Sequence, residues 1–116
     1  MKTDNAGLRA WMLQRLSAVY LVLFVALFGG RLLWAPPADH AEWTGWLARP
    51  GVATAVILAW LALAVHAWIG VRDIAMDYLR HTTARFTLLV AVAFGLLWLG
   101  VRLAAILAAI APEGTP

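Results

Sequence analysis

The stretch GVATAVILAWLALAVHAWIGV, residues 51–71, decides the fold because it is apolar throughout and carries no formal charge. As an α-helix, its 21 residues would be about 31 Å long, which matches the hydrocarbon thickness of a lipid bilayer. A backbone inside lipid must satisfy its own hydrogen bonds, and a helix does so within one segment. This stretch therefore predicts a helix that spans a membrane.

Two further apolar runs lie on either side of this stretch. The run LSAVYLVLFVALFGG, residues 16–30, continues past Arg31, and the run FTLLVAVAFGLLWLGV, residues 86–101, continues past Arg102. We therefore predict an all-α membrane protein, with residues 1–116 forming a single transmembrane domain. The predicted spans are residues 13–34, 51–79 and 84–110, with an interfacial segment at residues 39–48 that contains Trp43 and Trp46.

The composition agrees with a membrane protein. The chain has 116 residues, of which 64% are hydrophobic and 13% are charged, whereas about 25% are charged in an average soluble domain. A chain of this size cannot hide so much apolar surface inside itself. The absence of cysteine excludes disulfides and thiolate metal sites. The net charge of +3 does not indicate nucleic-acid binding, because the basic residues flank the apolar runs and form no stripe of their own.

The distribution of basic residues predicts the orientation. Six of them lie before the first apolar run or between the second and third apolar runs, and three lie on the opposite side. Positive charge marks the cytoplasmic side of a membrane protein, so we expect a cytoplasmic N-terminus and an external C-terminus. The six residues are Lys2, Arg9, Arg15, Arg72, Arg80 and Arg85, and the three are Arg31, Arg49 and Arg102.

One histidine lies inside a predicted span. His66 belongs to the second span, whereas His40 and His81 lie in connections. An ionisable group at membrane depth indicates a functional site, and neutral imidazole is an axial ligand of haem iron. Gly70 shares its helical face and would leave room beside the ring for a flat group. The alternative is a histidine that only hydrogen-bonds a neighbouring helix. If a haem has two histidine ligands, the second must come from another polypeptide.

A polar cluster closes the second span. Asp73 and Asp77 return to within about 20° of the His66 face of the helix, and Tyr78 is rotated by about 120° from it. A phenol can donate a hydrogen bond to a carbonyl oxygen, and a carboxylate can relay a proton. The alternative is a tyrosine that anchors the interface, next to solvated helix-end charges.

The segment QRLSA, residues 14–18, stands at the cytoplasmic end of the first span. Arg15 is either a snorkelling anchor or a cation for a carboxylate, such as a haem propionate, or for a substrate carbonyl. Ser17 adds a hydroxyl group nearby. The chain has no phosphate-binding loop, dinucleotide fingerprint or zinc-ligand spacing, so we do not expect it to be an enzyme by itself.

The spacing of His66, Gly70, Asp77 and Tyr78, together with the segment QRLSA, resembles the small hydrophobic anchor subunits of succinate dehydrogenase (succinate:quinone oxidoreductase, respiratory Complex II). These are the D-type subunits of cytochrome b556. The resemblance covers essentially the whole chain, including its length and its three spans.

The resemblance implies a complex in the bacterial inner (cytoplasmic) membrane. The partners would be a second, larger anchor subunit, an iron–sulfur subunit and a flavoprotein subunit. His66 would ligate the iron of a haem b shared with the second anchor, and Arg15 would lie near its propionates or the quinone pocket. Tyr78 would hydrogen-bond a quinone, expected to be ubiquinone, with Asp77 in its proton path.

Two alternative functions are kept open. The anchor of a quinol:fumarate reductase would run the same chemistry in reverse. A small pore-forming protein of the holin type, from a different functional class, would explain the size, the three spans and the basic charge. It would leave His66, Gly70, Asp77 and Tyr78 unexplained.

Overall fold

The computed structural model describes residues 5–114, so Lys2 lies outside the described residues. These residues form four α-helices and no strand. The helices are α1 (Ala6–Trp34), α2 (His40–Leu47), α3 (Pro50–Tyr78) and α4 (Thr82–Ile110).

Three of these helices, α1, α3 and α4, are long and apolar enough to cross a membrane, and each has 29 residues. The predicted all-helical fold class with three candidate spans is therefore confirmed. α1 begins at Ala6, which is ahead of the predicted span start at residue 13. The reason is that hydropathy detects only the part of a helix that suits lipid, whereas residues 6–12 are mostly good helix formers that extend the helix beyond it.

α3 is the central helix of the bundle. It packs against α1 on one side and α4 on the other, and within residues 5–114 no Cα atom of α1 lies within 8 Å of α4. A groove of about 630 Å³ remains between α1 and α4, with Trp68 and Ile69 of α3 among its lining residues. The buried residues of the described chain are few: Ala59, Ile69 and Ala75 on α3, and Ser17 on α1. Most of the apolar surface is therefore left for lipid or for another polypeptide.

Close contact between α3 and α4 depends on a glycine. A Cβ atom added at Gly100 would come within 2.5 Å of the Cζ2 atom of Trp60. Such a distance is far inside van der Waals contact, so the absence of a side chain at Gly100 lets the indole ring lie against the α4 backbone.

α2 closes the connection between α1 and α3. Asp39 Oδ1 accepts a hydrogen bond from the backbone N–H of Glu42 (2.8 Å), and Glu42 Oε2 accepts one from the backbone N–H of Ala38 (2.7 Å). The N-cap bond of Asp39 and the bond from Glu42 back to the residue before the cap together stabilise the start of this eight-residue helix. Trp43 and Trp46 share a face of α2, with ring centroids 5.7 Å apart. The Trp46 ring lies 4.7 Å from that of Phe28, so α2 folds back onto the end of α1.

Candidate functional site

The contact between α1 and α3 joins two polar side chains at membrane depth. The Oγ atom of Ser17 lies 3.3 Å from Nδ1 of His66. Ser17 is 7% exposed and is the one buried polar residue in the part of the chain that the structure describes. His66 is half-buried. The imidazole is therefore held on its Nδ1 side by a hydroxyl group that neither water nor lipid reaches freely.

Gln14 lies one turn from Ser17 and faces the next turn of α3. Its Nε2 atom would be 3.8 Å from a Cβ atom added at Gly70, which is an ordinary van der Waals distance. Gly70 thus faces an amide on α1, and the room predicted there for a flat group stays a prediction. Sequence analysis did not single out Gln14. The signal was available, because residues 14 and 17 share a helical face.

The segments QRLSA and HAWIG, which are far apart in the sequence, therefore lie against each other. Ser17 pairs with His66, and Gln14 lies against Gly70. The Oε1 atom of Gln14 is buried, and no hydrogen-bond partner for it exists among residues 5–114.

The second ring nitrogen of His66, Nε2, takes no part in the contact with Ser17. Nε2 makes no hydrogen bond within the described residues, and it is not among the buried atoms that lack a partner, which are Gln14 Oε1 and Arg85 Nε. This nitrogen is therefore partly exposed at the surface of the described chain. No three potential metal-ligating side chains come together between residues 5 and 114. A single imidazole, fixed on one nitrogen and accessible on the other, fits the role of one axial ligand to a haem iron.

Arg15 points away from this contact. Its side chain is exposed, and its guanidinium carbon lies 5.5 Å from the centre of the Trp11 ring on the same helix. Arg15 follows Gln14 by one residue, which rotates it by about 100° from the face that meets α3. Arg15 and His66 are thus not brought together within this chain, and the guanidinium is accessible to a group outside it.

Tyr78 and Asp77 end α3, where both are exposed, Tyr78 by 79%. Twelve residues of helix separate Tyr78 from His66, which corresponds to about 18 Å along the axis. Asp73, the other carboxylate of the predicted stripe, forms an ion pair with Arg72 at 3.1 Å. Asp77 therefore remains as the carboxylate next to Tyr78 without an ion-pair partner in the described chain.

Arg85 holds the end of α3 in place. Its guanidinium donates a hydrogen bond of 2.7 Å to the backbone carbonyl of Leu79, the residue after Tyr78. A helix end leaves carbonyl groups without partners, and a cation suits them. Sequence analysis counted Arg85 only as a cytoplasmic charge. A separation of six residues between Arg85 and Leu79 is not a pattern that predicts this contact. The turn between α3 and α4 brings the two residues together.

Comparison with known protein families shows the family of the chain. A model of the succinate dehydrogenase/fumarate reductase transmembrane subunit family matches residues 2–109. The chain belongs to this family. As a transmembrane subunit of the succinate dehydrogenase/fumarate reductase family, it is a multi-pass membrane protein from a class whose members anchor multi-subunit complexes. No solved structure matches the chain.

Family membership also accounts for the exposed apolar surface. α4 has no buried residue within the described chain, and large apolar side chains are exposed along α1 as well. A transmembrane subunit of a multi-subunit complex presents such faces to lipid and to its neighbours.

Proposed function

We propose that this chain is the D-type anchor subunit of a bacterial succinate:quinone oxidoreductase. In this role it supplies one axial ligand to haem b and part of the site where quinone is reduced. The observation that carries the proposal is the imidazole of His66, held by Ser17 on Nδ1 and accessible on Nε2, in a member of this family.

The haem half-site consists of His66 and, outside the α1–α3 contact, Arg15. His66 ligates the iron through Nε2, and Arg15 pairs with a propionate. The bound haem adds a one-electron redox centre inside the membrane. The second ligand comes from the other anchor subunit, because His40 and His81 lie at the first residue of α2 and just before α4.

The quinone half-site is the exposed end of α3. The Tyr78 hydroxyl donates a hydrogen bond to a quinone carbonyl, and Asp77 passes protons between the site and water. Arg85 keeps the backbone of this end in position through Leu79. Both half-sites need groups from other polypeptides, which fits a subunit rather than a self-sufficient enzyme.

Two apolar surfaces of the chain support the proposed partners. The groove lined by Trp68 and the bare face of α4 are apolar and suit a second helical anchor subunit. The six basic residues assigned to the cytoplasmic side put the Tyr78 end of α3 on that side. The iron–sulfur and flavoprotein subunits dock there, so that electrons from succinate reach the quinone. We place the complex in the bacterial inner membrane with ubiquinone as the acceptor.

Two observations separate this proposal from the remaining alternatives: the preferred direction of the reaction and the subunits that copurify with the chain. An anchor of a quinol:fumarate reductase would copurify with similar partners, but its complex would reduce fumarate faster than it oxidises succinate. The holin-type alternative does not account for the family match over residues 2–109.

The proposal is tested by purifying the complex through a tag on this chain. We expect three partner subunits and a b-type haem in the reduced-minus-oxidised spectrum, and we expect His66→Ala to lose that haem. His40→Ala and His81→Ala are matched controls that should keep it. A His66→Ala complex with an unchanged haem spectrum would refute the ligand assignment, and a chain that purifies without partners would refute the anchor role.

A further inference from the structure

The hydroxyl of Ser17 makes two contacts but has only one proton. Oγ lies 2.9 Å from the backbone carbonyl oxygen of Gln14 and 3.3 Å from Nδ1 of His66. A carbonyl oxygen can only accept, so the shorter contact takes the hydroxyl proton. The Ser17 oxygen can then only accept a hydrogen bond from His66 and cannot donate one.

This arrangement determines which nitrogen of His66 carries hydrogen. A hydroxyl oxygen without a proton to give can only accept from Nδ1, so Nδ1 bears the N–H group. In a neutral imidazole the other nitrogen then has the free lone pair. We propose that Ser17 is a positioning residue that holds His66 in the Nδ1–H tautomer and thereby presents Nε2 as the ligating nitrogen. The inference rests on the proposed function of His66 as a haem ligand.

The surroundings make Ser17 suited to this role. It is buried, and its hydroxyl is held by the carbonyl of the preceding turn of its own helix. Gly70 lies one turn beyond His66 and faces Gln14, so the contact between α1 and α3 continues along the helices beside the Ser17–His66 pair. A free histidine prefers the opposite tautomer, with hydrogen on Nε2, in which the outward nitrogen could not bind iron. The contact with Ser17 therefore selects the Nδ1–H tautomer, in which Nε2 can bind iron.

The same hydrogen bond acts on the iron through the ring. An Nδ1–H group that donates to an oxygen makes the imidazole a stronger base and fixes the ring plane. A stronger base favours ferric over ferrous iron, so removal of the serine hydroxyl should raise the midpoint potential of the haem. It should also allow the ring to rotate about its bond to the iron.

The tautomer can be read directly without haem. The full chain, labelled with ¹⁵N-histidine and reconstituted in lipid nanodiscs, is compared with Ser17→Ala and Ser17→Thr, and His66→Ala assigns the signals. We expect Nδ1 protonated and Nε2 unprotonated in the native chain and in Ser17→Thr, which keeps the hydroxyl. We expect a population shift towards Nε2–H in Ser17→Ala. Protonated Nε2 in the native chain, or identical spectra for all three, would overturn the inference.

The purified complex separates this inference from the proposed function. In Ser17→Ala we expect the complex to bind haem about 10-fold or more weakly. We also expect altered electron paramagnetic resonance g-values and a raised midpoint potential of the haem. Ser17→Thr should behave as the native complex does. If His66→Ala loses haem but Ser17→Ala keeps native g-values and potential, the positioning role is wrong and the ligand assignment stands. If His66→Ala keeps its haem, the ligand assignment fails first.

Discussion

The indole ring of Trp60 on α3 lies against Gly100 on α4, at a spot where a Cβ atom would come within 2.5 Å of the ring. This contact joins the central helix to the helix that has no buried residue within the described chain. The packing of α4 against α3 at this point therefore depends on the absence of a side chain at Gly100.

The first prediction concerns this contact. We expect Gly100→Ala to lower the stability of the complex by about 1–3 kcal/mol, because the methyl group must displace the ring from a packed position. Thermal unfolding in detergent measures the effect. Gly95→Ala on the same helix is the matched control, since a Cβ atom there meets nothing within 4 Å in this chain. Equal melting temperatures for the two variants would contradict the contact.

The second prediction concerns the phenol of Tyr78. Tyr78→Phe should slow quinone reduction about 3- to 10-fold, the usual range for one lost hydrogen bond, while succinate oxidation with an artificial dye is unchanged. Tyr20→Phe is the matched control among the two tyrosines, because the Tyr20 hydroxyl donates to the Ala55 carbonyl within the bundle. Native quinone turnover in Tyr78→Phe would make Tyr78 an interfacial anchor only.

The third prediction separates the two carboxylates of α3. Asp77→Asn should reduce quinone turnover at saturating quinone, because an amide cannot relay a proton. Asp73→Asn should have little effect, since Asp73 is already paired with Arg72 and is exposed. Steady-state rates of both variants, with the dye assay as reference, measure the difference. A larger loss in Asp73→Asn would move the proton path to the Arg72 pair.

The fourth prediction concerns Arg85. Arg85→Ala removes the hydrogen bond to the Leu79 carbonyl, so the end of α3 should open more often and the KM for quinone should rise. Hydrogen exchange of the backbone amides at residues 79–85 should accelerate in the same variant. Arg80→Ala, an exposed arginine in the same connection, is the control. Unchanged exchange in Arg85→Ala would show that the turn is held by other contacts.

The fifth prediction concerns Arg15. Arg15→Gln should weaken haem retention without abolishing it, because a propionate would lose one cationic partner while the bond from His66 to iron remains. Arg9→Gln, two turns earlier on α1 and also exposed, is the control for general loss of positive charge. The haem-to-protein ratio after gel filtration measures retention. Equal ratios in the two variants would make Arg15 a headgroup anchor.

Several features of the fold could be read from local patterns. Apolar runs predicted three membrane-spanning helices, and the segment with Trp43 and Trp46 between the first two runs was predicted to lie at the membrane interface. These features depend on neighbouring residues in the chain, so a linear reading finds them. Hydropathy predicted the span and not the helix bounds, because helix formation does not stop where hydropathy falls.

The contacts within the candidate site could not be predicted from local sequence patterns. His66, Ser17, Arg15, Asp77 and Tyr78 were named from the sequence, but their grouping was not. The structure pairs Ser17 with His66, turns Arg15 outward and pairs Asp73 with Arg72. Which faces of two helices meet depends on side-chain shape at the interface, and small residues such as Gly70 have their effect only when a partner helix is present.

The sequence by itself determined that this protein is a three-helix membrane chain with one imidazole at membrane depth, because length, hydropathy and residue identity are local properties. Only the tertiary structure decided that a buried serine on α1 holds that imidazole by Nδ1. The physical reason is that the contact between Ser17 and His66 depends on the distance between two helices, and that distance exists only after α1 and α3 have packed.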